Sequence, residues 1–211
     1  MALSSIDSSN SITLQTKMNP LTILIASIFT HNIALVYILG MCPFIIISKN
    51  YKTAMGMGIA IIFVVTLTAI INWPIYWKVL VPLHSEILAF LIFIIIIAAT
   101  VQFLEMLIEK FFPPLQSSFG IFLPLITVNC IVLAVCLFMV LRNYSFIQTV
   151  CYSFGTSCGW AMAIILMAAI KEKLMLVSDI PKGLRGPGIT MIIAGLMALA
   201  FMGFAGIITL Q

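Results

Sequence analysis

Six stretches of the chain are almost continuously apolar, and polar residues collect between them. They run from about Leu21 to Ile47, Thr53 to Tyr76, Ile87 to Ile108, Phe119 to Leu141, Phe146 to Ile170 and Ile189 to Leu210. A helix of about 20 apolar residues spans the hydrocarbon core of a bilayer. The pattern therefore predicts an all-α integral membrane protein with six transmembrane helices. The punctuation between the stretches suits membrane boundaries: Lys49 and Lys52, the aromatic group Trp73, Tyr76 and Trp77, Glu109 and Lys110, Arg142, then Lys171, Glu172 and Lys173. A loop with Asp179, Pro181, Lys182, Arg185 and Pro187 leads into the last stretch. Residues 1–20 form a polar, Ser-rich tail without the apolar core or cleavage motif of a signal peptide, and 21–211 are read as the membrane domain. The first helix is expected to direct insertion itself, and Met18 is an alternative start.

Composition sharpens this picture by exclusion. Of 211 residues, 63% are hydrophobic and 8% charged, against about 45–50% and about 25% in soluble domains; mean hydropathy is +1.25. A soluble enzyme domain, a disordered tail and a nucleic-acid binder are all excluded. No Gly-rich dinucleotide fingerprint follows a strand, so NADH is not expected to bind this chain. The net charge of +4 acts through its placement. Lys49, Lys52, Lys110, Lys171, Lys173, Lys182 and Arg185 follow the odd-numbered spans, whereas Lys17, Lys78 and Arg142 lie on the other side. Basic residues favour the cytoplasmic side, so both termini are expected outside.

The two halves, 21–110 and 115–211, echo each other. The first reads Cys42, then Lys49-Asn50-Tyr51, then a small-residue run from Gly56; the second reads Cys130, then Arg142-Asn143-Tyr144, then a run from Gly155. Three spans per half would make these inverted repeats, which place a shared site near the bilayer midplane at broken helices. Small residues also recur in any membrane bundle, where they allow close packing. Two breaks are visible: Gly40-Met41-Cys42-Pro43 within the first span, and Pro124 ahead of Thr127, Asn129 and Cys130 in the fourth. Proline removes a backbone donor and disfavours helical geometry before it. A proline kink with cysteine as a small apolar side chain accounts for the same residues.

At these residues the chain resembles the Nqr/Rnf membrane-subunit family. The likeness rests on Leu39-Gly40-Met41-Cys42, on Phe122 to Cys130 (FLPLITVNC) and on Ala194 to Phe204 (AGLMALAFMGF), and it extends from about Met18 to Ile208. Phe112-Pro113-Pro114-Leu115 and Asp179 to Gly186 favour the E-type branch of sodium-translocating NADH:quinone reductases. The short connection from Pro82 to Glu86 is the feature nearer to the A-type branch of the Rnf ferredoxin:NAD oxidoreductases. The resemblance implies two inverted three-helix repeats with broken helices at the midplane, in a six-subunit respiratory complex of the bacterial inner membrane. It implies a homologous partner of the D type, and between the two an iron centre of the 2Fe-2S kind with two cysteines from each chain. Here those cysteines are Cys42 and Cys130. The centre would relay electrons across the membrane between flavin subunits, from NADH toward ubiquinone, coupled to sodium export.

The five cysteines can be weighed against that implication. An odd count within apolar runs argues against a disulfide framework. Cys151 and Cys158 share a helix face but stand about 10.5 Å apart along the axis, too far for one small cluster. Cys136 is turned off the face of Cys130, and these three read as packing thiols. The chain thus offers one pair, and further ligands must come from elsewhere. Glu105, inside the third span with Gln102 and Glu109 on its face, is costly in a membrane and lies at a helix end that is already negative. It is a candidate for the cation pathway, or an acid that reaches the interface. A non-redox inverted-repeat transporter and a purely structural bundle remain alternative readings.

Overall fold

Among the described residues of the computed structural model (20–29, 32–37, 39–47, 51–80, 86–111, 129–177 and 187–205), the secondary structure is all helical. The helices are α1 (Pro20–Phe29), α2 (Ile33–Val36), α3 (Met41–Ile47), α4 (Tyr51–Ile75), α5 (Glu86–Phe111), α6 (Cys130–Leu141), α7 (Phe146–Val177) and α8 (Pro187–Ala205). Helices α4 and α7 form the centre and run antiparallel. Gly58 faces Ala161, where an added Cβ would stand 3.1 Å from the alanine's own. At the other end Trp73 donates its indole N–H to the Tyr144 carbonyl at 3.0 Å and meets the Phe146 ring edge-on. Helix α1 packs on α7, α6 and α5 pack on α4, and α8 closes over α1–α3.

The side-chain distribution is that of a molecule built for lipid. Ile59, Phe63, Ile95, Phe103, Leu196 and Leu199 are exposed, while Thr68, Asn72, Thr149, Ser153, Thr156 and Ser157 are buried. Water would reverse that arrangement, because burying polar groups and exposing large apolar ones are both costly there. The buried hydroxyls are mostly returned to the helix: Ser157 Oγ donates to the Ser153 carbonyl at 2.8 Å and Thr149 Oγ1 to that of Ser145 at 3.1 Å. One helix, Tyr51–Lys78, is by itself long and apolar enough to cross a membrane; Phe90–Leu104, Cys130–Leu141 and Pro187–Gly203 are shorter apolar stretches among the described residues.

The first span is interrupted at Gly40–Pro43, as the sequence reading expects, and again between α1 and α2, while two other helix ends differ from that reading. The first span is not one helix but three, α1 to α3. Its break precedes Pro43, which sits in the first turn of α3 where no backbone donor is needed; the turn is made by Gly40 at φ +81°. Helix α4 ends beyond Pro74, whose missing N–H removes a rung, and the chain widens into a π turn over Tyr76–Leu80. Helix α7 continues past Ile170 to Val177. Lys171, whose charge predicts a boundary anchor, is buried and donates to Thr190 Oγ1 of α8 at 2.7 Å. It follows buried Met167 and Ala168 on one helix face, so the face carries it inward.

The repeated Arg-Asn-Tyr element has a structural role in the second half. Asn143 takes φ +48°, and the N–H groups of Asn143 and Tyr144 donate to the carbonyls of Val140 and Met139, both at 3.1 Å. That is a Schellman stop for α6. Gln148 Oε1 then accepts the Ser145 N–H at 3.1 Å, half of a capping box that starts α7. Lys49 and Asn50 of the first half lie outside the described residues, as do Pro124 and Thr127.

Candidate functional site

Cys42 and Cys130 occupy matching local positions, each in the first turn of a helix that follows an interruption. Cys130 is the first residue of α6, and Cys42 the second residue of α3. Both side chains are exposed. Asn129, with extended backbone angles, caps α6: its Oδ1 accepts the Ile131 N–H at 3.2 Å. The first position of this 12-residue helix lies near the positive end of the helix dipole, a setting that suits an anionic group bound there.

The segments that carry the two cysteines meet through the residues just before them. A Cβ added to Gly40 would stand 3.1 Å from Asn129 Oδ1 and 2.8 Å from Trp160 Nε1. Gly40 lies two residues before Cys42, and Asn129 immediately before Cys130. Three elements therefore converge here: the turn into α3, the cap of α6 and the middle of α7. The glycine is required twice, by its positive φ and by the space its missing side chain leaves.

Two polar atoms at this junction have no hydrogen-bond partner among the described residues. They are Asn129 Nδ2 and Trp160 Nε1, both buried and both N–H donors. The amide assignment is fixed by the cap, since only the oxygen can accept from Ile131. Leaving a buried donor unsatisfied costs about 1–3 kcal/mol.

The other cysteines are elsewhere. Cys136 is buried and accepts a hydrogen bond from Asn72 Nδ2 at 3.1 Å, tying α6 to α4. Cys151 and Cys158 are half-buried along α7, a single unbroken helix, so the axial separation expected of them holds. Among the described residues no three His, Cys, Asp or Glu side chains come together as a metal site. Glu105 lies on α5, but its side chain is outside the described residues. Sequence reasoning passes over Trp160. The available signal is its position: aromatic residues of this kind gather at membrane boundaries, and Trp160 stands deep within an apolar run.

Residues 20–208 match the family described as Rnf-Nqr subunit, membrane protein. The chain belongs to the Rnf-Nqr membrane-subunit family. An Rnf-Nqr chain is a membrane protein, which accounts for large apolar side chains on the exterior and polar ones among the buried residues. Its relatives include proteins named as the E subunit of Na(+)-translocating NADH-quinone reductase. The protein of Aeromonas salmonicida (strain A449) is 52% identical over 193 residues, covering 89% of this chain and 97% of the relative. That of Aeromonas hydrophila subsp. hydrophila matches at the same identity and coverage. The protein of Psychromonas ingrahamii is 47% identical over 197 residues, again covering 89% and 97%. The matched region of this Rnf-Nqr chain contains both Cys42 and Cys130, as well as Gly40, Asn129 and Trp160.

Proposed function

We propose that this chain is the E-type membrane subunit of a sodium-translocating NADH:quinone reductase, and that Cys42 and Cys130 supply half of a thiolate-ligated iron centre. The observation that carries this reading is the junction at Gly40, where the residues leading into the two cysteines are packed against each other and both thiols are left exposed. The names of the relatives favour the quinone reductase over the Rnf branch.

The residues fit a 2Fe-2S group on three counts. Thiolates are its usual ligands. The start of α6 sets a positive dipole end beside Cys130, which suits an anionic centre. Asn129 and Trp160, which carry buried donors without partners among the described residues, flank Gly40, two residues before Cys42. When bound, such a centre supplies one-electron transfer. The chain's own residues do the rest: Gly40 brings the α3 turn against the α6 cap, and Asn129 fixes the start of α6. Two thiols do not complete a four-thiolate site, so the other pair is assigned to a homologous D-type partner, seated over the exposed face of Cys42 and Cys130.

Inverted repeats are supported by the packing pattern. Exchanging the first three spans for the last three turns the contact of α1 with α7 into that of α6 with α4, and the contact of α8 with α1–α3 into that of α5 with α6. The α4–α7 pair maps onto itself. With both termini outside, the junction would lie between the cytoplasmic and periplasmic faces of the bacterial inner membrane, where it relays electrons between flavin subunits. Glu105, near the cytoplasmic end of α5, is assigned to cation entry. Glu105→Gln should raise the sodium concentration needed for half-maximal turnover of the assembled complex; unchanged sodium dependence would remove it from the path.

Iron content of the purified complex tests the central reading. Cys42→Ala and Cys130→Ala should each abolish the iron held at this position and the transfer of electrons across the membrane. Cys151→Ala and Cys158→Ala should leave both nearly intact. Full iron retention in Cys42→Ala, with native quinone reduction, would defeat the assignment. Iron-free wild-type complex would favour a non-redox transporter.

A further inference from the structure

We infer that the indole N–H of Trp160 and the carboxamide N–H of Asn129 are positioning donors to the sulfur atoms of the iron centre at Cys42 and Cys130, and that they raise its reduction potential. This rests on the proposed centre and adds residues that ligand chemistry alone would not assign. Both atoms are buried N–H donors without a partner among the described residues. Both side chains flank Gly40: the place its Cβ would take is 2.8 Å from the ring nitrogen and 3.1 Å from the amide's own oxygen. Their sequence positions tie them to the thiolates: Asn129 adjoins Cys130, and Gly40 is two residues from Cys42.

Each side chain is held by something other than the bond it lacks. Asn129 spends its oxygen on the Ile131 N–H, which turns the amide nitrogen away from the helix. Trp160 is fully buried on α7, so its ring has no freedom to turn its nitrogen to solvent. Fixed donors of this kind are unusual in a membrane interior, where every polar group seeks a partner. Thiolate and sulfide sulfur are acceptors, and the negative charge on them grows when the centre takes up an electron. Donors aimed at them stabilise the reduced form more than the oxidised form, which raises the potential.

The experiment uses the whole purified complex. Iron per complex is measured first, then the midpoint potential of the centre by spectroscopically monitored titration. Trp160→Phe keeps an aromatic ring and removes the N–H. Asn129→Ser retains a capping oxygen for Ile131 and removes the carboxamide. Each variant should retain iron and shift the midpoint to lower potential. A measurement on wild-type complex carrying indole-¹⁵N tryptophan, reduced in H₂O and in D₂O, needs no variant. It should show hyperfine coupling of the centre to a ring nitrogen and to an exchangeable proton. Iron-loaded variants with unmoved midpoints, or no indole coupling in the wild-type complex, would overturn the inference and leave the iron centre standing. Wild-type complex without iron would remove both.

Discussion

Gly40 is the residue on which the most geometry depends. Its φ of +81° is a region where a side chain costs about 1–2 kcal/mol, and a Cβ would also press on Trp160 Nε1 and Asn129 Oδ1. Gly40→Ala is expected to lower the melting temperature of the purified complex and release its iron, read by thermal unfolding and metal analysis. Asn143 makes a contrasting case at φ +48°. Asn143→Gly should be close to neutral, whereas Asn143→Val should cost about 1–2 kcal/mol because a β-branched residue resists that conformation; detergent-solubilised stability would distinguish them. The position of Cys42 and Cys130 at helix starts was legible in the sequence because each stands beside Gly, Pro or Asn, residues that interrupt helices. Trp160 was not, because an aromatic residue within a long helical run carries no mark of which neighbour it will face. Lys171 was illegible for the same reason: its charge predicts a boundary, and only the packing of α7 against α8 takes it inside.

Helix ends set by local chemistry were readable, and those set by tertiary contact were not. The starts of α5 and α7 fall within a residue of the expected Ile87 and Phe146. The contact of α1 with α7 is of the second kind. There Gly155 would place a Cβ against Ser27 Oγ and 2.8 Å from the Leu24 carbonyl, and Gly159 would place one 2.9 Å from the Ile28 carbonyl. These neighbours are largely backbone and cannot move aside. Gly155→Leu should therefore exceed the about 1–3 kcal/mol typical of overpacking and abolish accumulation of the folded subunit in membranes. Gly195→Ala, where the structure leaves open space around the α-carbon, should accumulate normally. Immunoblotting of membrane fractions compares the two. The expectation that small residues mark close packing thus holds for Gly155 and Gly159 in the second of the two runs.

At the scale of the whole molecule, orientation follows from charge. Burial of Lys171 takes one residue out of the count, leaving six basic residues after the odd-numbered spans against three on the other side, so the bias keeps its sign. Reporter fusions at the Lys49–Lys52 loop and at the C-terminus are expected to report opposite sides of the membrane; finding both on one side would refute an arrangement with both termini outside. The all-helical class and lipid-facing exterior were evident from composition, since 63% hydrophobic residues leave no aqueous alternative. The arrangement of spans was not, because six similar apolar runs do not encode which pairs touch. That choice is made by a few small or polar residues, Gly58 against Ala161 and Asn72 against Cys136 among them.

The break after α1 is tied down by a bond of an unequal kind. Asn32, buried, donates its amide to the carbonyl of Gly159 at 2.9 Å. The acceptor is peptide backbone, which every amino acid supplies, so the partnership is encoded at only one of its two positions. Changes at 159 act through volume alone, and no replacement there can compensate for losing the carboxamide at 32. A search for paired substitutions would find none across this contact, although it joins the interruption of the first span to the middle of the longest helix.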